Sequence, residues 1–273
     1  MTAKITPDMT VLSETLLIPL WAKAVEQERD ERLLTDPEAP RMLAQIDYDF
    51  SKFKNIVMSQ VGCCGRAQIF DNEAQKFIAA HPDAVVVQLG AGLDARFERL
   101  GRPQITAWYD LDLPEVIALR RQLLPESTNH YLAISLFDES WMQTVAAHGK
   151  PVLLLCEGVL MYFDTDTVKD WLATLARHLP QATLVFDIVP PALVGKAKRH
   201  DALGKMGKEA PEFKWSLKDN RELEQWLPGL KLEAEMELSR VCGRRYLLIA
   251  RLIYATKWGR RKMDQRIVRV RLP

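Results

Sequence analysis

Apolar positions along the chain follow two rhythms. From residue 11 to 60 they recur at helical spacing: Leu16, Leu17, Leu20, Ala24 and Val25 share one side, and Glu26, Glu28, Arg29, Asp30 and Glu31 follow on the polar side. Thr35-Asp36-Pro37 reads as a turn and N-cap, with proline at the first helical position of a segment holding Ala39, Met42, Leu43 and Ile46. This predicts a helical cap over residues 1–60, part of the same unit as the sheet domain behind it. Val61-Gly62-Cys63-Cys64-Gly65-Arg66 is rich in small residues and reads as a hinge, with Arg66 just ahead of a helix from Ala67 to Ala80.

From Val85 the rhythm changes. Strand-sized apolar runs (Val85 to Leu89, Ile105 to Asp112, Tyr131 to Ile134, Val152 to Cys156, Thr183 to Val189) alternate with helical stretches, which argues for a parallel, doubly wound sheet. Residues 192–218 break the alternation and read as an insertion, a lid. After a helix at Asn220 to Leu227, two runs, Lys231 to Leu238 and Tyr246 to Tyr254, are separated only by Val241-Cys242-Gly243. That leaves no room for a crossover helix, so the pair is predicted antiparallel. The main domain is placed at 61–256. Residues 257–273 are read as a basic, solvated tail, although Ile267 to Leu272 alternates like an edge strand.

Composition changes this picture little. Of 273 residues, 48% are hydrophobic, and the formal net charge of +1 gives no electrostatic case for nucleic acid. No apolar run approaches the ~20 residues that span a bilayer, and the first ten residues, with Lys4 and Asp8, lack the apolar core of a secretory signal. A cytoplasmic protein without a membrane partner is expected, its oligomeric state open. The four cysteines have no zinc-ligand spacing and read as reduced thiols, Cys63 and Cys64 near a turn, so no metal site is expected.

The candidate chemistry centres on Gly90-Ala91-Gly92, which follows the first strand directly. Glycines there let a ligand approach the backbone, at the strand end where open α/β sheets bind nucleotide-like molecules. Gly90 to Ala95 also fits G-x-G-x-x-A, with Asp110 and Asp112 about 20 residues on, so a dinucleotide is one reading. Against it, Asp94 sits beside the turn and the next helix is short, a poor setting for a diphosphate. Acids around the loop suit the cationic sulfonium and ammonium of S-adenosyl-L-methionine better.

Val87-Gln88-Leu89-Gly90-Ala91-Gly92-Leu93-Asp94-Ala95-Arg96, Asp110-Leu111-Asp112-Leu113-Pro114 and Cys156-Glu157-Gly158-Val159-Leu160-Met161-Tyr162 together resemble the leucine carboxyl methyltransferase family, in particular its bacterial branch of polyketide O-methyltransferases of the tetracenomycin type. The resemblance covers residues 10 to 190. It implies a class I, Rossmann-like methyltransferase: a seven-stranded, mostly parallel sheet with an antiparallel last strand behind a helical N-terminal cap. It also implies that Arg66 meets the methionine carboxylate of S-adenosyl-L-methionine, and that Gly90 and Gly92 line the cofactor loop. Asp112, supported by Asp110, would hold the ribose hydroxyls. Glu157 matches the family acid after the fourth strand and Lys23 a cap lysine. Ser135-Leu136 stands where the family carries Asp-Leu near the adenine. The expected activity is methyl transfer to a carboxylate or hydroxyl of a small molecule, the alternatives being an NAD(P)-dependent oxidoreductase and a non-catalytic binding protein of this fold. His81, His130, His148, His178 and His200 read as surface residues. Tyr162 and Asp187 are therefore the candidates for a base, and the lack of a placed histidine favours a carboxylate acceptor.

Overall fold

The structure, a computed structural model, describes residues 4–7, 11–197, 200–205 and 211–273. Asp8 of the N-terminal segment and positions 198–199 and 206–210 of the expected insertion lie outside them. Five strands run parallel: β1 (Val85–Leu89), β2 (Ala107–Asp112), β3 (His130–Ala133), β4 (Val152–Cys156) and β5 (Thr183–Ile188). With β6 (Lys231–Glu237) and β7 (Arg266–Arg271) the sheet order is β3-β2-β1-β4-β5-β7-β6, and β7 alone runs against its neighbours. Every residue of β1, β4 and β5 is buried, because helices cover both faces. On one face Val85, Val87 and Leu89 pack in one cluster with Trp141 of α6 (Ser140–Ala146), Trp171 and Leu172 of α7 (Thr165–His178) and Leu223 of α8 (Glu222–Trp226). On the other, Val86, Leu153 and Val185 meet Val61, Phe70 and Ala74.

The cap forms as its pattern predicts, with α1 (Val11–Glu26) and α2 (Glu38–Gln45). Asp36 caps α2 by accepting the Ala39 N–H at 3.1 Å. The hinge does not form. Residues 61–66 lie inside one unbroken helix, α3 (Val57–Ala80), so Arg66, Cys63 and Cys64 are mid-helix and the boundary expected at residue 60 is spanned. Gly65 is there for close approach, since a Cβ on it would lie 2.8 Å from Cys242 Sγ.

The C-terminal quarter differs most from expectation. β6 (Lys231–Glu237) forms, but Tyr246 to Tyr254 is not a strand: Leu248–Ala255 is a helix, α10, between α9 (Leu238–Cys242) and α11 (Lys257–Met263). The seventh strand, β7 (Arg266–Arg271), comes from the segment read as a solvated tail, and it lies inside the sheet between β5 and β6. Its charges mislead because they are consumed internally. Arg269 pairs with Glu73 of α3 and with Glu233 of β6 at 3.1 Å, Arg271 with Glu233 at 2.8 Å, and buried Arg266 donates to the Leu217 carbonyl. The apolar run at 246–254 fits either secondary structure, since periodicity alone does not separate a buried strand from a short helix. The 238–263 excursion is closed where Asp264 accepts from Ser239 Oγ at 2.6 Å.

Candidate cofactor and acceptor site

A cavity of about 960 Å³ opens at the carboxyl ends of β1, β2 and β4, at the upper end of the size range of small-molecule sites. Its floor is the turn after β1, with Gly90 and Gly92 both at positive φ. α1 closes one side and the described part of the insertion another. Of the residues named from sequence, Lys23, Arg66, Gly90, Gly92, Asp112, Ser135, Leu136, Glu157 and Tyr162 all line it.

Arg66 reaches the strand ends from the middle of α3. Its Nε donates to Glu157 Oε1 at 2.9 Å and its Nη1 to Asp187 Oδ2 at 3.3 Å. Burial opposes the charge on this guanidinium, but Asp187 and Glu157 outweigh it and push its pKa above the ordinary arginine value. Burial likewise pushes Glu157 up, and the greater pull of Arg66 and Arg96 keeps its carboxyl below the usual range. Asp112, at the end of β2, accepts the N–H groups of Gly92 at 2.7 Å and Leu113 at 2.8 Å, which orients its carboxylate along the turn.

Two expected residues do not reach the cavity. Asp110 is fully buried: it accepts from Asn129 at 2.7 Å and from Trp108 Nε1 at 3.1 Å, and lies 3.2 Å from Arg120. Arg120, on α5 (Pro114–Leu123), in turn donates to the carbonyls of Gly92 and Asp94 at 3.0 and 2.8 Å. Asp110 thus acts through Arg120 on the shape of the loop. Asp187 is also enclosed, accepting from Gly158 N at 2.6 Å and from Arg66, so it orients those two groups. Burial raises its pKa.

Asp94 does not present the free negative charge expected of it. Lys23 from the cap lies 2.6 Å away, Arg99 2.9 Å and Arg96 3.1 Å. Arg96 also pairs with Asp71 of α3 and with Glu157, and Arg99 with Asp71 and Asp36. This buried network ties cap, α3 and loop together. Arg96 and Arg99 are not among the sequence candidates, although two arginines one helical turn apart beside a loop acid are a readable signal.

The far end of the cavity is apolar and aromatic. Tyr162 stacks on Phe213 at 6.0 Å, with Met161, Phe163, Leu193 and Leu203 around them. Burial pushes the Tyr162 hydroxyl up to about 12, so it stays protonated and can donate a hydrogen bond but is no base near neutrality. His200 is here too, edge-on to Phe213 at 5.6 Å, and is not the surface residue expected from sequence. Burial lowers its pKa, with Arg66 in the same direction and Asp201 opposing, which favours the neutral ring. Asp201 lies 3.9 Å from Nδ1 and is itself held by the N–H of Ser59 at 3.1 Å and by its hydroxyl. Nothing local in the sequence marks His200, because its position depends on how the insertion folds back.

A sheet of this order, with its cavity at the strand ends around a Gly-x-Gly turn, belongs to the class I methyltransferases that use S-adenosyl-L-methionine. The crystal structure of a SAM-dependent methyltransferase from Anabaena variabilis shares the fold over the whole chain (TM-score 0.53, 7% identity, 100% of this chain and 99% of that one). More specifically, the chain belongs to the leucine carboxyl methyltransferase family, whose profile matches residues 17–176. It is 34% identical over 231 residues to the tetracenomycin polyketide synthesis O-methyltransferase TcmP of Streptomyces glaucescens, covering 84% of each chain. It is 28% identical over 262 residues to the S-adenosyl-L-methionine-dependent methyltransferase dpfgK of Gibberella zeae, covering 84% of this chain and 83% of that one. The dinucleotide reading is set aside accordingly. The helix behind the glycine turn, α4 (Arg96–Arg99), is only four residues long, too short to offer a pyrophosphate much of a dipole.

Proposed function

We propose that the protein transfers a methyl group to an oxygen, a hydroxyl or carboxylate, of a small aromatic molecule of polyketide type. The observation that carries this reading is the apolar, aromatic end of the cavity with the His200 imidazole in its wall. The similarity to an O-methyltransferase of polyketide synthesis supports it.

The charged end suits the zwitterionic cofactor. Arg66 and Lys23 would take the carboxylate and Glu157 would face the ammonium. Asp112 would take the ribose diol, and Ser135 and Leu136 the adenine, through charge-assisted hydrogen bonds where a charge is present. S-adenosyl-L-methionine supplies an electrophilic methyl on a sulfonium. The chain's own residues then exclude water, hold the acceptor oxygen in line, and receive its proton when it carries one. A carboxylate acceptor needs no base at neutral pH. A hydroxyl acceptor does, and His200 in the cavity wall would serve; its Nδ1 accepts the Leu203 N–H at 3.4 Å, with Asp201 3.9 Å away. A preference for a carboxylate rested on the lack of a placed histidine, and His200 removes that ground.

Methyl transfer from radiolabelled cofactor to a panel of aromatic hydroxy and carboxy compounds tests the reading, with His200→Gln alongside. With a hydroxyl acceptor, the variant should lose ~100-fold or more in kcat at pH 7 and lose the acidic limb of the wild-type pH profile. With a carboxylate acceptor both should be unchanged. Transfer to nitrogen or carbon only, or to nothing in the panel despite tight binding of S-adenosylhomocysteine, would overturn the proposal.

A further inference from the structure

Between β6 and β7 the chain leaves the sheet for residues 238–263, and this excursion has an unusual surface. α10 turns its apolar face outward: Leu248, Ile249 and Leu252 are 67%, 75% and 64% exposed, while Ala250 and Tyr254 pack inward. Leu247 before it and Trp258 on α11 are 62% and 65% exposed. The same segment holds eight lysines and arginines and no acidic residue. Arg244, Arg251, Lys257 and Lys262 make no ion pair among the described residues, and Lys262 Nζ sits 5.4 Å over the Trp258 ring.

We propose that this face docks on an anionic lipid surface. Protruding leucine and isoleucine beside tryptophan, ringed by unpaired cations, is the composition of a helix that lies in the headgroup region of a bilayer. The absence of a membrane-spanning helix among the described residues does not bear on such shallow docking. A second copy of the chain fits less well. A two-fold interface would set each patch against itself and bring like charges together with no acids to offset them. An acidic protein would satisfy the charge, but these side chains stand out from a two-turn helix, and none of them lines the methyltransferase cavity. The location gives docking a use: Tyr246, Tyr254 and Met263 belong to the excursion and also line the methyltransferase cavity.

The test is co-sedimentation of the full chain with vesicles of phosphatidylcholine containing roughly one part in three phosphatidylglycerol, against pure phosphatidylcholine. Binding to the anionic vesicles alone is expected, weakening at least ~10-fold at high salt. Ile249→Ser with Leu252→Ser, and separately Arg251→Glu with Lys257→Glu, should each weaken it ~10-fold or more. All four side chains are exposed, so both variants should melt as the wild type does. Failure to bind, equal binding to neutral vesicles, or binding untouched by either pair overturns the proposal. So does a dimer that dissociates on Ile249 and Leu252 substitution, or capture by an acidic protein without vesicle binding. Vesicle binding is read independently of methyl transfer, so its failure leaves the proposed reaction standing.

Discussion

Substituting Gly90 by alanine isolates what the loop demands of its backbone. Gly90 has φ +65°, and a Cβ built there lies 2.4 Å from Val159 Cγ2 but 3.6 Å from Val159 Cβ. Left-handed backbone costs an L-residue ~1–2 kcal/mol. Carbon contacts become favourable only beyond ~3.5 Å, so Val159 must retreat by roughly 1 Å, and overpacking of that kind adds ~1–3 kcal/mol. The expected destabilisation is therefore ~3 kcal/mol, a fall in Tm of ~6–12 °C for a domain of this size. Val159 also lines the cavity, so its displacement should weaken S-adenosylhomocysteine binding by about 10-fold. The two contributions separate in a cycle with Val159→Ala. Without Cγ2, Gly90→Ala should cost only the backbone part, ~1–2 kcal/mol. Thermal melts and isothermal titration of the four proteins read both quantities. If Gly90→Ala costs the same with and without Val159 Cγ2, the steric half of the reasoning is wrong; if it costs nothing, both halves are.

Two further predictions rest on buried charge. Arg66→Gln leaves Glu157 and Asp187 short of a cation and should destabilise by about 3 kcal/mol. It should also weaken S-adenosylhomocysteine binding at least ~100-fold by titration, and an unchanged Kd would remove Arg66 from the cofactor site. Burial pushes the Asp264 carboxyl up to about 6, against ~3.9 in an unfolded chain. A raised carboxyl favours the fold while protonated: its contribution is full below pH ~4 and is lost as pH rises through 6, a change of about 3 kcal/mol at ~1.4 kcal/mol per pH unit. Asp264→Asn stays neutral and can still accept the Ser239 N–H. It should therefore be more stable than wild type by ~2 kcal/mol at pH 8 and nearly equal to it at pH 4. A constant difference across that range in denaturant titrations would contradict the shift.

The cofactor end of the site is largely legible in the sequence, because its parts sit at strand ends. An apolar run into Gly90-Ala91-Gly92, acids closing β2, and Glu157 after β4 are local patterns, and parallel sheet geometry brings such ends together. Arg66 is found through resemblance, yet its setting is misjudged: small residues suggest a hinge, whereas Gly65 is small because Cys242 lies against it. Asp110 and Asp112 look equivalent in sequence. Burial along β2 separates them, turning one inward to Arg120 and leaving the other at the cavity.

Residue order alone sets the alternating α/β plan, the helical cap, the position of the glycine turn and most of the residues around it. Those depend on period, turn chemistry and residue type, all local properties. Which charges are free is settled by tertiary packing. The folded chain neutralises Asp94 with Lys23, Arg96 and Arg99, draws the arginines of an apparent basic tail into the sheet as β7, and leaves several cations of the 238–263 excursion at the surface without an ion pair among the described residues. It also brings His200 into the cavity wall. Charge pairing acts over a few ångströms, yet it joins residues as far as 219 positions apart, so it follows from the packed chain and not from the order of its residues.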